Sequence, residues 1–153
     1  MSRVDGKVLV ITGGTQGVGE GIALQAARNG AEGIVICGRN EENGQRVSAA
    51  VEELGTTCQF VQADLQHVEE TTAVIAACDE RFGRVDGLVN GAAMTTRGTL
   101  DSTSVELWDY LFAVNVRAPF LLTQAAARIM KREGTSGAIV NIISVAATAD
   151  CLT

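Results

Sequence analysis

The residues best equipped for chemistry begin with a glycine cluster, Thr12-Gly13-Gly14-Thr15-Gln16-Gly17-Val18-Gly19. Glycines at this density permit a tight turn and let backbone N–H groups approach an anion. A helix starting there would add its positive dipole end to the attraction. A pyrophosphate suits such a loop, and a plain tight turn is the alternative in a chain with 17 glycines. Further on, Cys37-Gly38-Arg39-Asn40 holds no acid, and the Arg39 guanidinium either pairs with a phosphate or is a solvated loop residue. Asn115 and Pro119 belong together because proline has no N–H, and residue 119 of a helix would otherwise donate to the carbonyl of residue 115. That leaves the Asn115 carbonyl open to another donor, unless the helix simply begins near the proline.

These groups need elements to hold them. Short β-branched apolar runs at 7–12 (KVLVIT), 33–37 (GIVIC), 57–61, 85–89 and 138–143 (AIVNII) predict five strands buried on both faces. Between them lie helical patterns. Val47, Ala50, Val51 and Leu54 recur at helical spacing between a cap at Asn40 and Gly55, and Val68, Ile75, Cys78 and Phe82 repeat the pattern up to Gly83. Thr103 with Glu106 predicts a capping box opening the helix that carries Trp108. Alternating strands and helices joined by right-handed crossovers predict an α/β, Rossmann-type, doubly wound parallel sheet with strand order 3-2-1-4-5. The chain runs only ten residues past Ile143, so the fifth strand is expected to be an uncovered edge. It reads as the first part of a domain that reaches about 200–250 residues, with the C-terminal part absent.

With 12 Lys and Arg against 18 Asp and Glu, a net charge of −6 and no run of like charges, nucleic acid and anionic membrane are poor partners. No signal peptide and no membrane-spanning apolar run is visible, so a cytoplasmic protein is expected. Cys37, Cys58, Cys78 and Cys151 lack CxxC spacing and read as reduced thiols. The single histidine, His67, reads as a surface residue, and no metal site is expected.

The spacing of the glycine cluster, TGxxxGxG, resembles the first motif of the short-chain dehydrogenase/reductase family. Further matches follow in the family's order: Asn90-Gly91-Ala92-Ala93, close to its NNAG motif; Asn115; and Ser144 after Ile139-Val140-Asn141-Ile142-Ile143. Gly91 and Ala93 depart from that motif. The resemblance implies that Gly13, Thr15, Gln16, Gly17, Val18 and Gly19 hold a dinucleotide, with Asn90, Gly91 and Ala92 beside it. Gly38 stands where the family's NAD enzymes carry Asp, and Arg39 where many NADP enzymes carry a basic residue, so NADP is favoured over NAD. Gln16 lacks the second basic residue many NADP members have there. Asp64-Leu65 resembles the family's pair at the adenine pocket, with a helix-capping Asp as the ordinary alternative. Ser144 would hydrogen-bond the substrate oxygen, and the Asn115 main-chain carbonyl would hold a water of the proton relay.

The family's acid/base tyrosine, about thirteen residues after the serine and spaced YxxxK from a lysine, would fall about four residues past Thr153. Tyr110 is followed at i+4 by Val114 and does not fit that role. The expected parent protein interconverts a small-molecule carbonyl and a secondary alcohol by hydride transfer, as a homodimer or homotetramer. The alternatives are a non-catalytic dinucleotide-binding module or an inactive truncated product.

Overall fold

The computed structural model describes residues 4–96 and 98–144. All five apolar runs form strands: β1 (Val8–Thr12), β2 (Gly33–Gly38), β3 (Thr57–Gln62), β4 (Gly87–Asn90) and β5 (Ala138–Asn141). They pair in parallel in the order β3-β2-β1-β4-β5, with Val10 opposite both Val35 and Leu88. Five helices connect them: α1 (Gly17–Arg28), α2 (Glu41–Glu53), α3 (Val68–Phe82), α4 (Val105–Phe112) and α5 (Ala118–Arg132).

Period-two alternation sends successive strand residues to opposite faces. Leu9, Ile11, Ile34 and Ile36 pack with Ala23, Ala26 and Ala27 of α1 and Val47 and Val51 of α2. Val8, Val10, Val35 and Leu88 pack on the other face with Val74, Ile75 and Cys78 of α3 and Leu122, Ala126 and Ile129 of α5. Both faces of β1 and β2 are therefore covered, which is why those strands read as unbroken apolar runs. This is a Rossmann-type doubly wound sheet.

Local signals explain most of the boundaries. The Asn40 side chain accepts from the Asn43 N–H at 2.8 Å, opening α2 as its sequence predicts. The capping box is corrected: Ser104 caps α4, accepting from the Leu107 N–H at 3.2 Å. Thr103 is diverted, because its hydroxyl donates to the Thr99 carbonyl at 2.8 Å in a turn that Thr99 and Ser102 close. The Glu106 carboxyl, lowered from its ordinary value by its own backbone N–H and the Ser104 hydroxyl, still assists the first turn.

β4 starts at Gly87 rather than Val85, because the Val8 N–H is taken by the buried carboxylate of Asp86 at 2.9 Å instead of by a ladder carbonyl. β5 stops at Asn141, two residues short of the predicted end, since its partner β4 ends opposite it at Asn90. The expected uncovered edge is present: all four residues of β5 are exposed. Its apolar run is thus not buried on both faces among the described residues.

α4 and α5 are joined by a π turn, Ala113–Arg117, in which the Ala118 N–H reaches back five residues to the Ala113 carbonyl. Pro119 sits in the first turn of α5, where a missing N–H costs least. The two sequence readings of this region meet here. The helical path does run through Asn115, and its hydrogen-bonding register changes just before the proline.

Candidate functional site

At the carboxyl ends of β1, β2 and β4 lies a cleft of about 360 Å³, with Ile142 beyond the end of β5 also contributing to its wall. Its floor begins where β1 runs into the glycine cluster. Gly13 has φ +67°, and a Cβ there would stand 2.8 Å from Ala92 Cα, so the loop lies directly against the turn after β4. Thr12 locks the same junction from beneath. Its buried Oγ1 accepts from the Gly91 N–H at 3.1 Å and the Ala92 N–H at 3.2 Å, and donates to the Val89 carbonyl at 3.4 Å. The glycine loop therefore opens a helix, α1, rather than closing a simple turn. Gln16, at the N-cap, offers no side-chain hydrogen bond to the first N–H groups of α1. These donors and the positive end of α1 face the cleft, a donor set that fits the pyrophosphate of a dinucleotide.

Of the sequence-predicted residues, Gly13, Thr15, Gln16, Gly17, Val18, Gly19, Arg39, Asp64, Leu65, Gly91 and Ala92 all line this cleft. Asn90 does not. Its buried side chain turns away, donating to Asn141 Oδ1 at 2.8 Å and approaching Thr123 Oγ1 at 3.5 Å, and so braces β4 against β5 and α5. Asp64 is not the N-cap of α3, a position held by His67 without a side-chain hydrogen bond. The Asp64 carboxylate instead folds a local turn, accepting from the Gln66 N–H at 3.0 Å and Gln66 Nε2 at 3.2 Å.

Asn115 is outside the cleft wall but is tied to it. Its side-chain amide accepts from the Met94 N–H at 2.9 Å and donates to the Met94 carbonyl at 2.8 Å, fixing the loop after β4. Committing the side chain to that loop leaves the main chain as the part of Asn115 able to serve another role. Ser144 is exposed just past β5. In the loop that follows β4, Met94 lines the cleft and Arg97 lies outside the described residues.

The chain matches the short chain dehydrogenase family model over residues 7–151. It belongs to the short-chain dehydrogenase family. It is 35% identical to a 3beta-hydroxysteroid dehydrogenase of Mediterraneibacter gnavus, covering 95% of this chain and 52% of the relative. With a cyclopentanol dehydrogenase of Comamonas sp. it shares 34% identity over 95% of this chain and 57% of the relative. It spans about half the length of these curated relatives. A metagenomic short-chain oxidoreductase solved in complex with NADP superposes with a TM-score of 0.86 at 33% identity, covering 94% of this chain and 64% of that one.

In this member of the family, sequence reasoning missed part of the cleft's far wall. Tyr110 and Val114 of α4 and the π turn line it together. They are four residues apart, so a helical face was legible, but which face α4 turns to the cleft was not. Arg39 reaches across: its Nη1 donates to the Tyr110 hydroxyl at 2.9 Å. Cys37 also lines the cleft, and burial, opposed by the Gly13 N–H, pushes its thiol up to about 12. It stays protonated and is no nucleophile. Cys58 and Cys78 are likewise buried and free, while Cys151 lies outside the described residues. Among the described residues no cluster of three His, Cys, Asp or Glu could hold a metal ion.

Proposed function

We propose that the full-length protein is an NADP-dependent oxidoreductase that interconverts a ketone and a secondary alcohol. The observation that carries this reading is the end of β2, where Gly38 offers no carboxylate to a ribose hydroxyl and Arg39 brings the only cationic side chain to the cleft lining among the described residues. The Thr15 side chain further occupies the space where a Cβ of residue 38 would stand, its Oγ1 2.6 Å from that position, so an acid here would have to displace it. The solved relative in complex with NADP supports the same choice. A nicotinamide cofactor, when bound, supplies or accepts the hydride.

The chain's own residues bind and orient. The N–H groups from Gly17 to Gly19 hold the pyrophosphate, Arg39 the 2′-phosphate, and Asp64 with Leu65 the adenine. Ser144 donates to the substrate oxygen and orients it. Asn115 serves the proton relay through its main-chain carbonyl, to which Pro119 has no N–H to give. A cyclic secondary alcohol or its ketone suits the reading, because relatives named for a hydroxysteroid and for cyclopentanol both carry one. Assembly as a dimer or tetramer is supported by the exposed apolar side chains of Trp108, Phe112, Val116 and Phe120 from α4 to α5. Three buried free thiols support a reducing compartment, the cytoplasm.

The test is steady-state reduction of cyclic ketones by the full-length protein with NADPH and with NADH, for wild type and Ser144→Ala. The expected result is turnover favouring NADPH, reduced about a hundredfold or more by the substitution, the range for losing one stabilising donor. Binding of NADPH without turnover of any ketone would sink the catalytic reading in favour of a dinucleotide-binding module. Equal use of the two cofactors would sink the NADP assignment.

A further inference from the structure

The Arg39–Tyr110 contact spans the cleft between elements 71 residues apart in sequence. Arg39 projects from the loop after β2, with its own carbonyl held by Gln62 Nε2 at 3.1 Å; Tyr110 stands on α4, half-buried, and lines the same cleft. A guanidinium has only donors, so the tyrosine hydroxyl must accept in this bond. The hydroxyl proton is consequently directed away from the guanidinium and toward whatever acceptor enters the cleft. Arg39 spends one of its five N–H groups on the hydroxyl. The pair thus presents a guanidinium and an O–H donor at one point, held from opposite walls; Asp64, which also lines the cleft, is engaged with Gln66. An entering group that satisfies both donors is an anion with several oxygens, and a neutral ribose hydroxyl does not.

We propose that Tyr110 is a specificity-determining residue, forming with Arg39 a two-donor clamp for the 2′-phosphate of the cofactor. The assignment rests on the NADP reading given above. It adds a residue from α4, an element that makes no part of the glycine loop or of the β2 terminus. Because the contact is at the surface, its loss leaves the fold alone and shows only in the discrimination between phosphorylated and unphosphorylated ligands.

The test is calorimetric titration of the full-length protein with NADPH, NADH and 2′,5′-ADP for wild type, Tyr110→Phe, Arg39→Ala and the double variant, with a thermal melt of each. Tyr110→Phe is expected to weaken NADPH and 2′,5′-ADP about tenfold, the size of one hydrogen bond to a charged group, with NADH affinity and melting temperature unchanged. The double variant should lose less than the product of the two single losses, since both groups act on one phosphate. If wild type prefers NADPH and responds to Arg39→Ala but not to Tyr110→Phe, or if Tyr110→Phe weakens NADPH and NADH alike, the Tyr110 assignment falls and the cofactor reading stands. If wild type binds NADH as tightly as NADPH, the cofactor reading falls and takes the clamp with it.

Discussion

The wall of the cleft built by β1, the glycine loop and β2 rests on Ile11, Ile34 and Ile36, all fully buried. The opposite wall, made by α4, the loop after β4 and the end of β5, leaves Trp108 at 56%, Val140 at 48% and Ile143 at 81% exposure. The first wall is contiguous in sequence and buried on both faces, by α1 and α2 on one side and by α3 and α5 on the other. The second is assembled from segments scattered over residues 90–144, and it leaves these apolar side chains exposed. Under the proposed function, the pyrophosphate is held by the first wall and the substrate is handled by the second. Nucleotide affinity and catalytic competence should therefore respond separately to damage.

The sharpest break is between equivalent apolar residues on the two sides. Ile36→Ala should cost about 3 kcal/mol in chemical denaturation, the usual loss for a fully buried isoleucine. Ile139→Ala, on the exposed β5, should cost less than about 1 kcal/mol. Similar losses at both sites would mean that β5 is covered after all. A smaller effect is expected where the walls meet. Thr12→Val keeps the shape but removes the acceptor of the Gly91 and Ala92 N–H groups, which should cost about 1–3 kcal/mol for the orphaned donors and weaken nucleotide binding. Thr12→Ser should restore both in the same melts and titrations.

The smallest effect is a change of slope with pH, at the far end of the sheet where Asp86 joins β1 to β4. Burial pushes its carboxyl up. The Arg84 hydrogen bond, the Val8 N–H and the charges of Arg84 and Lys7 outweigh burial and hold it below its ordinary 3.8. A depressed folded value stabilises above the unfolded value and loses that contribution as pH falls through the folded one. The stability gap between wild type and Asp86→Asn should accordingly narrow below about pH 4. A gap that stays constant with pH would show that Asp86 acts through its hydrogen-bond geometry alone.

The contrast between the walls also marks what could be read in advance. Strand identities and their order followed from runs such as VLVIT, because a strand covered on both faces restricts residue type at consecutive positions; six residues of the cleft lining lay in the TGxxxGxG segment, and Arg39, Asp64, Leu65, Gly91 and Ala92 followed from the family resemblance. Asn90 was legible as a residue beside the cleft but not in its direction. Whether its amide faced a cofactor or Asn141 depended on the β4–β5 register, set by residues about fifty positions away. The Thr103 cap failed for a similar reason on a smaller scale, since the competing Thr99 carbonyl became available only once the preceding turn had folded.

The sequence by itself determined a parallel α/β sheet, a glycine-rich loop after β1 and the absence of an acid at the end of β2. Each is carried by neighbouring residues whose backbone demands are local. Only the tertiary structure decided that Asn115 would clasp Met94, that Thr12 would hold the turn after β4, and that Tyr110 would meet Arg39 across the cleft. These contacts join residues 21 to 80 positions apart. Their energies depend on how helices settle onto the sheet, and periodicity along one segment carries no information about that.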